Sequence, residues 1–226
     1  MGQAVTKING RTVQFPVGFE GLIGENFHSL WDMKMDAEPA KSRPVSDKGG
    51  RLIDWAGGNY VTLSVVFTDI VGGSKMGQLL GDFEMGKLKM RHFNKARDIV
   101  RNYGGYYIKD NGDSVLAVFR TSVYALDFAI ALHNEPGDER IRIRGGIHSG
   151  PVLIMNEDIH ASTVDITSRI CNVDKEAAIW VSDEAKRHIS SNKSPHHLQL
   201  RWEEGIRDLK DFGEQKLWKV LPISAT

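Results

Sequence analysis

Residues 67–77 read FTDIVGGSKMG, and together with KDNGDSVLAVF at 109–119 this stretch decides both fold and chemistry. The run before it, YVTLSVVFTD from Tyr60, is β-branched and aromatic, so it predicts a strand buried on both faces that ends where Asp69 emerges. Gly72 and Gly73 follow at once. Glycines there let a backbone approach a polyphosphate, and a helix opening near Ser74 would aim its free N–H groups and positive dipole end at the same anion. A second aspartate, Asp113, follows a hairpin signal: YYIK, then Asn111-Gly112 as the turn, then SVLAVF. Taken singly, Asp69 reads as a helix cap and Asp113 as a turn residue. Taken together, at the ends of strands that can neighbour each other, they read as a two-metal phosphoryl-transfer site. Two close carboxylates repel unless cations lie between them or one is protonated, and magnesium or manganese would serve.

The 226 residues are 41% hydrophobic, enough for one good core and a short extension. Formal net charge is zero, which argues against a nucleic-acid partner or an acidic membrane surface and leaves phosphate binding to local charges. Cys171 is the single cysteine, so an internal disulfide is excluded and a reducing, cytoplasmic setting is expected. No apolar run approaches the roughly 20 residues that span a bilayer, and MGQAVTKING has no signal-peptide core. Met1-Gly2 with Thr6 fits a myristoylation pattern that many unrelated sequences share.

Residues 1–57 read as an extension. Phe19, Leu22, Ile23, Phe27, Leu30 and Trp31 recur at helical spacing and predict a short amphipathic helix, and Ala37–Gly50 has a linker's composition. Residues 58–226 form the main domain. A long helix is expected from Ser74 to Tyr103, weakened by Gly81 and Gly86 and ended by Gly104-Gly105. After the hairpin come a helix over 122–133, strands over 141–147 and 152–155, a helix over 163–173 and a strand over 178–181. The order is βαββαβ with additions, an α+β, ferredoxin-like or palm-type sheet with helices packed on one face.

FTDIVGGS, KDNGDSVLAVF, RGGIHSGPV at 144–152 and DIHASTVDITSRI at 158–170, in that order and spacing, resemble the catalytic domain of class III nucleotidyl cyclases. The resemblance covers Tyr60 to about Val220. It implies a head-to-tail homodimer with sites at the interface, one protomer supplying metals and phosphate contacts, the other the base and transition-state groups. Asp69 and Asp113 match the metal ligands, with the Ile70 carbonyl as a further oxygen ligand for two Mg²⁺ or Mn²⁺ ions. Gly72, Gly73 and Ser74 match the phosphate turn. Arg144 matches the clamp on the β- and γ-phosphates, and its spacing favours it over Arg140 and Arg142; His148 in the same block reads as structural. Arg169 matches the arginine that stabilises the α-phosphate during attack by the ribose 3′-hydroxyl, and Lys210 matches the phosphate-binding lysine of the late hairpin, with Lys216 and Lys219 nearby.

Asp165 stands where the family has a ribose-positioning asparagine. Lys109 and Asp158 match the pair that recognises adenine, which favours ATP. Asp110 and Asn111 imply a more polar pocket floor, and a short chain without a sensor module resembles the stand-alone bacterial pyrimidine cyclases of antiphage signalling, whose cyclic CMP or cyclic UMP is read by a separate effector. The substrate expectation is therefore ATP or a pyrimidine triphosphate. A catalytically inactive homologue that binds nucleotide and regulates a partner is the alternative, kept open by Asp165.

Overall fold

A computed structural model describes residues 3–8, 11–16, 51–192 and 200–221. The chain divides into two units, Met1–Pro44 and Val45–Thr226. In the first, strands β1 (Gln3–Ile8) and β2 (Arg11–Pro16) pair antiparallel, an element the sequence reading did not anticipate. The expected amphipathic helix and linker lie outside the described residues.

The second unit is built on β3 (Tyr60–Ile70), whose apolar side chains are buried on both faces as its composition demands. After it come helix α2 (Gly73–Asn102), the hairpin β4 (Tyr106–Asn111) and β5 (Ser114–Phe119), helix α3 (Ser122–Asn134) and strand β6 (Ile143–Met155). In space the strands lie β4-β5-β3-β6, all antiparallel, which is the expected palm-type βαββαβ core. Next are β7 (Asp158–His160), α4 (Ser162–Cys171), β8 (Ile179–Ser182), α5 (Asp183–Ser191), β9 (Arg201–Leu209) and β10 (Gly213–Leu221). They extend the sheet through β8, parallel to β6, to β10 and β9, while β7 folds back on β6. A short helix α1 (Leu52–Ala56) precedes β3.

Helices cover both faces rather than one. Val66 and Ile70 pack with Leu88, Ala96, Phe128 and Leu132 beneath α2 and α3. Leu63 and Val65 of the same strand pack instead with Leu52 of α1 and with Val152 and Ile159. Helix α4 lies on this second face, so close that a Cβ at Gly146 would stand 2.4 Å from the Cys171 amide nitrogen. Helix α1 falls within the stretch read as extension, yet Leu52 is fully buried in the second unit's core.

Three further expectations need correction. The two strands expected at 141–147 and 152–155 are one, because β6 pairs with β3 continuously from Ile143 opposite Ile70 to Leu153 opposite Tyr60. Pro151 is tolerated within it because β8 pairs only as far as Ile147 and β7 only from Leu153, so the strand has one free side there. Helix α2 is not continuous: Gly81, at φ 76° and ψ 161°, breaks it. The central pair of the β4–β5 turn is Gly112-Asp113, with Asn111 opposite Ser114 and φ of 63° at Gly112 alone, the pattern of a type II′ turn. Among the described residues no helix is long and apolar enough to cross a membrane.

Candidate active site

Strand register places the first cluster. Asp69 lies opposite Arg144 on β6 and opposite Ser114 on β5. Arg144 donates to Asp69 Oδ2 from Nη2 at 2.6 Å and from Nε at 3.0 Å, while the Ser114 hydroxyl donates to Oδ1 at 2.8 Å. The third guanidinium nitrogen, Nη1, donates to the Asp174 carbonyl at 3.0 Å, so the fork is held in one plane at the strand end. Asp113 immediately precedes Ser114, in the turn that leads into β5, and its carbonyl accepts the Ile70 N–H at 3.2 Å. Its carboxylate meets the Lys89 ammonium of α2 at 2.6 Å.

Gly72 carries a left-handed φ of 71° and caps α2, so the chain turns sharply from β3 into the helix and leaves the first N–H groups, those of Gly73 and Ser74, without intrahelical acceptors. A Cβ on Gly73 would fall 1.8 Å from Asp113 Oδ2. The close approach that this glycine permits is thus to the carboxylate itself.

The second cluster is made by a β-bulge. Ile108 is the extra residue between Tyr107 opposite Ala117 and Lys109 opposite Leu116. Strict alternation would put Lys109 on the same face as Tyr107; the bulge turns it to the other, where its ammonium donates to Asp158 of β7. The Ile159 N–H donates to the other Asp158 oxygen at 2.9 Å. Burial alone would raise the Asp158 carboxyl, but the Lys109 hydrogen bond, the Ile159 N–H and the charges of Lys109 and His160 outweigh it and hold it below the usual carboxylate range.

Asp110 falls on the opposite face from Lys109. It accepts from Arg97 of α2 at 2.5 Å and from the Tyr107 hydroxyl at 2.8 Å. The expectation that Asp110 contributes to a polar pocket floor beside Lys109 is therefore not met.

The β6–β7 turn that carries Asp158 into place holds two non-glycine residues at positive φ, Asn156 at 52° and Glu157 at 60°. The Glu157 carboxylate accepts from the Leu52 N–H at 2.7 Å and from the Tyr106 hydroxyl at 3.2 Å.

The third cluster joins α4 to the last hairpin. Arg169, in the last turn of α4, reaches Asp211 at 3.5 Å in the β9–β10 turn, next to exposed Lys210. Arg169 Nε is buried and has no hydrogen-bond partner among the described residues. Asp165 is exposed in the first turn of the same helix, where the helix dipole favours a negative charge. His148 is structural, as its setting in a strand suggests: Nδ1 shares a hydrogen bond with the Ser182 hydroxyl at 2.8 Å, and burial lowers its pKa although Glu184 opposes this.

Lys89, Ser114 and Glu157 are the site residues that sequence reasoning passed over. Lys89 sits in a helix with no motif around it, and only the Gly81 break hints that it turns back. Among the described residues no three His, Cys, Asp or Glu side chains cluster for a metal. The set that fits a hard divalent cation is Asp69, Asp113 and the Ile70 carbonyl, all oxygen donors, and two carboxylates completed by substrate phosphates and water is a sufficient protein contribution for magnesium.

Comparison with known proteins bears on the family and the fold. A pH-sensitive adenylate cyclase of Mycobacterium tuberculosis is 27% identical over 162 residues, 70% of this chain and 40% of its own length. An adenylate cyclase of Streptomyces coelicolor is 29% identical over 147 residues, 62% of this chain and 38% of its own. The chain thus spans about two fifths of these relatives. In fold it is similar to the catalytic core of a rhodopsin-guanylyl cyclase with converted specificity in complex with ATPαS, at TM-score 0.63 and 22% identity over 72% of this chain and 96% of the other. It is equally similar to the adenylyl cyclase CyaB of P. aeruginosa, at TM-score 0.63 and 20% identity over 72% and 95%. Residues 57–217 match the adenylate and guanylate cyclase catalytic domain, and the chain belongs to that family.

Proposed function

We propose that the protein is a nucleotidyl cyclase that converts ATP into 3′,5′-cyclic AMP and pyrophosphate, working as a head-to-tail homodimer. The observation that carries the reaction class is the register that sets Asp69 between Ser114 and Arg144 with Asp113 on the adjoining turn. Divalent cations held there by Asp69, Asp113 and the Ile70 carbonyl would supply Lewis-acid activation of the ribose 3′-hydroxyl and neutralise the departing pyrophosphate.

The remaining work falls to the chain's own groups. The N–H groups at Gly72, Gly73 and Ser74 face the phosphates at the start of α2. Arg144 exchanges its carboxylate partner for the β- and γ-phosphates. From the second protomer, Arg169 and Lys210 stabilise charge on the α-phosphate as the 3′-oxygen bonds to phosphorus and the bond to the β-bridging oxygen breaks. The unpartnered Arg169 Nε supports this role, since a buried guanidinium N–H without an acceptor is costly until an anion arrives. Asp165 orients the ribose hydroxyls as an acceptor.

Lys109 and Asp158 favour adenine. A donor and an acceptor held side by side complement its amino group and ring nitrogen, and Asp110, on the opposite face, does not add to the polar floor beside Lys109, which leaves Asn111 as its one polar contribution. The relatives named adenylate cyclases point the same way. The cyclic nucleotide would be read by a separate effector.

The test is incubation of purified protein with each of the four nucleoside triphosphates and Mn²⁺, with product identification by mass spectrometry. Cyclic AMP is expected. Cyclic UMP or cyclic CMP as the principal product would overturn the base assignment, and no cyclic product from any triphosphate would overturn the cyclase reading.

A further inference from the structure

Lys89 makes a contact that the family's reaction does not require. Its ammonium lies 2.6 Å from Asp113 Oδ1, while Gly73 closes on Oδ2 of the same carboxylate. Sixteen residues of straight helix would hold Gly73 and Lys89 about 24 Å apart. They meet at one side chain because the Gly81 break folds the second half of α2 back on the first, bringing Met85 against Gly77. Lys89 is thus delivered to the Asp113 carboxylate by a specific feature of the backbone.

The charges then balance. Asp69 is paired with Arg144 and Asp113 with Lys89, so two carboxylates face two fixed cations. A free divalent ion approaching Asp113 meets a carboxylate whose charge is already balanced by Lys89, and it must displace or crowd that cation. A metal–triphosphate complex differs in kind. It carries its own negative charge, and the displaced ammonium can turn to a phosphate oxygen. Lys89 suits such an exchange, having a flexible stem, a compact charge and a side chain 29% exposed at the margin of the cluster.

We propose that Lys89 is an internal counter-ion that holds the Asp113 carboxylate until substrate arrives, and then moves to the polyphosphate, so that the site takes up divalent cation with the nucleotide rather than before it. The inference rests on the cyclase reading of Asp69 and Asp113, and it makes Lys89 a substrate-positioning residue.

The experiment measures binding, not turnover. Mn²⁺ is titrated into the full chain by calorimetry or by loss of the free-ion electron spin resonance signal, first alone and then with a non-hydrolysable ATP analogue. Lys89→Met is expected to tighten binding of free Mn²⁺ by about tenfold or more and to weaken the Mn²⁺–analogue complex. Lys89→Arg keeps the charge and should follow the wild type in the first titration. These opposite movements are not expected of a residue that only braces the helix.

The inference falls if Lys89→Met leaves free Mn²⁺ affinity unchanged or lower, if it leaves the Mn²⁺–analogue complex as tight as before, or if the gain survives in Lys89→Met combined with Asp113→Asn. Should Lys89→Met fail to fold, Lys89→Gln carries the same expectations. An Mn²⁺–analogue complex indifferent to Asp113→Asn would instead refute the assignment of Asp113 as a metal ligand, an outcome distinct from failure of the Lys89 proposal.

Discussion

Asp113 is the residue at which the most constraints meet. Its backbone sits in the hairpin turn and its carbonyl ties β5 to the end of β3. Its carboxylate is wedged between the first residue of α2 and an ammonium from beyond the helix break. Gly73→Ala places a methyl where Oδ2 now stands, so either the carboxylate or the helix start must move. We expect the substitution to lower cyclase activity at least about a hundredfold, since displacing a positioned group by 1 Å has effects of that order, and to cost about 1–3 kcal/mol of stability. Activity assays and urea unfolding check the two parts separately. Wild-type activity in Gly73→Ala would show that the wedge is dispensable. Cys171 is a contrasting residue. Burial, with the nearby Asp69 charge, pushes its thiol up to about 12, so native protein should resist iodoacetamide at neutral pH and label fully once unfolded in urea.

At the scale of elements, the Lys109–Asp158 pair depends on two irregularities. The Ile108 bulge chooses the face on which Lys109 emerges, and the Asn156-Glu157 turn brings Asp158 back to meet it. Left-handed backbone at two ordinary residues is strained, and Glu157 offsets that strain by accepting from the start of α1 and from Tyr106. Glu157→Ala removes both bonds and leaves a part-buried N–H of Leu52 without its acceptor. It should cost about 1–3 kcal/mol, while Glu157→Gln, which retains an acceptor oxygen, should cost less; chemical denaturation of the two variants decides. A loss in Glu157→Gln equal to that in Glu157→Ala would mean that charge on Glu157, rather than its acceptor geometry, secures the turn. Neither irregularity was legible in the sequence, because a bulge changes no residue pattern and Asn-Glu is not a turn signal. Strand β3, the βαββαβ order and the positions of both aspartates at neighbouring strand ends were legible because each rests on local periodicity or a dense motif. The hairpin turn was misplaced by one residue, since Asn-Gly and Gly-Asp are both acceptable turn centres and only strand register separates them. Helix α5 was passed over because only Ala185 and Ile189 of its nine residues are buried, too few to give an apolar stripe. The ionic contact of Lys89 with Asp113 was invisible for a related reason: it depends on how far the helix folds at Gly81, a tertiary quantity.

At the scale of the molecule, three histidines among the described residues are held below their ordinary pKa, each chiefly by burial. His92 bonds the Pro136 carbonyl, His133 bonds the Ile143 carbonyl and His148 pairs with Ser182. A lowered folded-state pKa means that the unfolded chain takes up protons first as pH falls. The stability these neutral rings contribute is complete above the ordinary value of 6.5 and is lost as pH drops towards their folded values. The urea midpoint should therefore fall on going from about pH 7.5 to about pH 5.5, and a flat or rising midpoint would contradict the assignment.

Assembly supplies the other molecular-scale test. If the aspartate cluster of one protomer works with Arg169 of the next, then Asp113→Asn and Arg169→Ala each leave every site of their own homodimer defective. Mixing the two variants under conditions that exchange subunits produces heterodimers in which one site carries both defects and the other carries neither. With random exchange of equal amounts, half the dimers are mixed and each has one intact site of two, so activity should recover to about a quarter of the wild-type value. A site completed within a single protomer could not respond in this way, because neither variant contains a whole one. The mixture would then remain as inactive as its parts, and the head-to-tail arrangement would have to be abandoned while the chemistry assigned to Asp69, Asp113 and Arg169 stood.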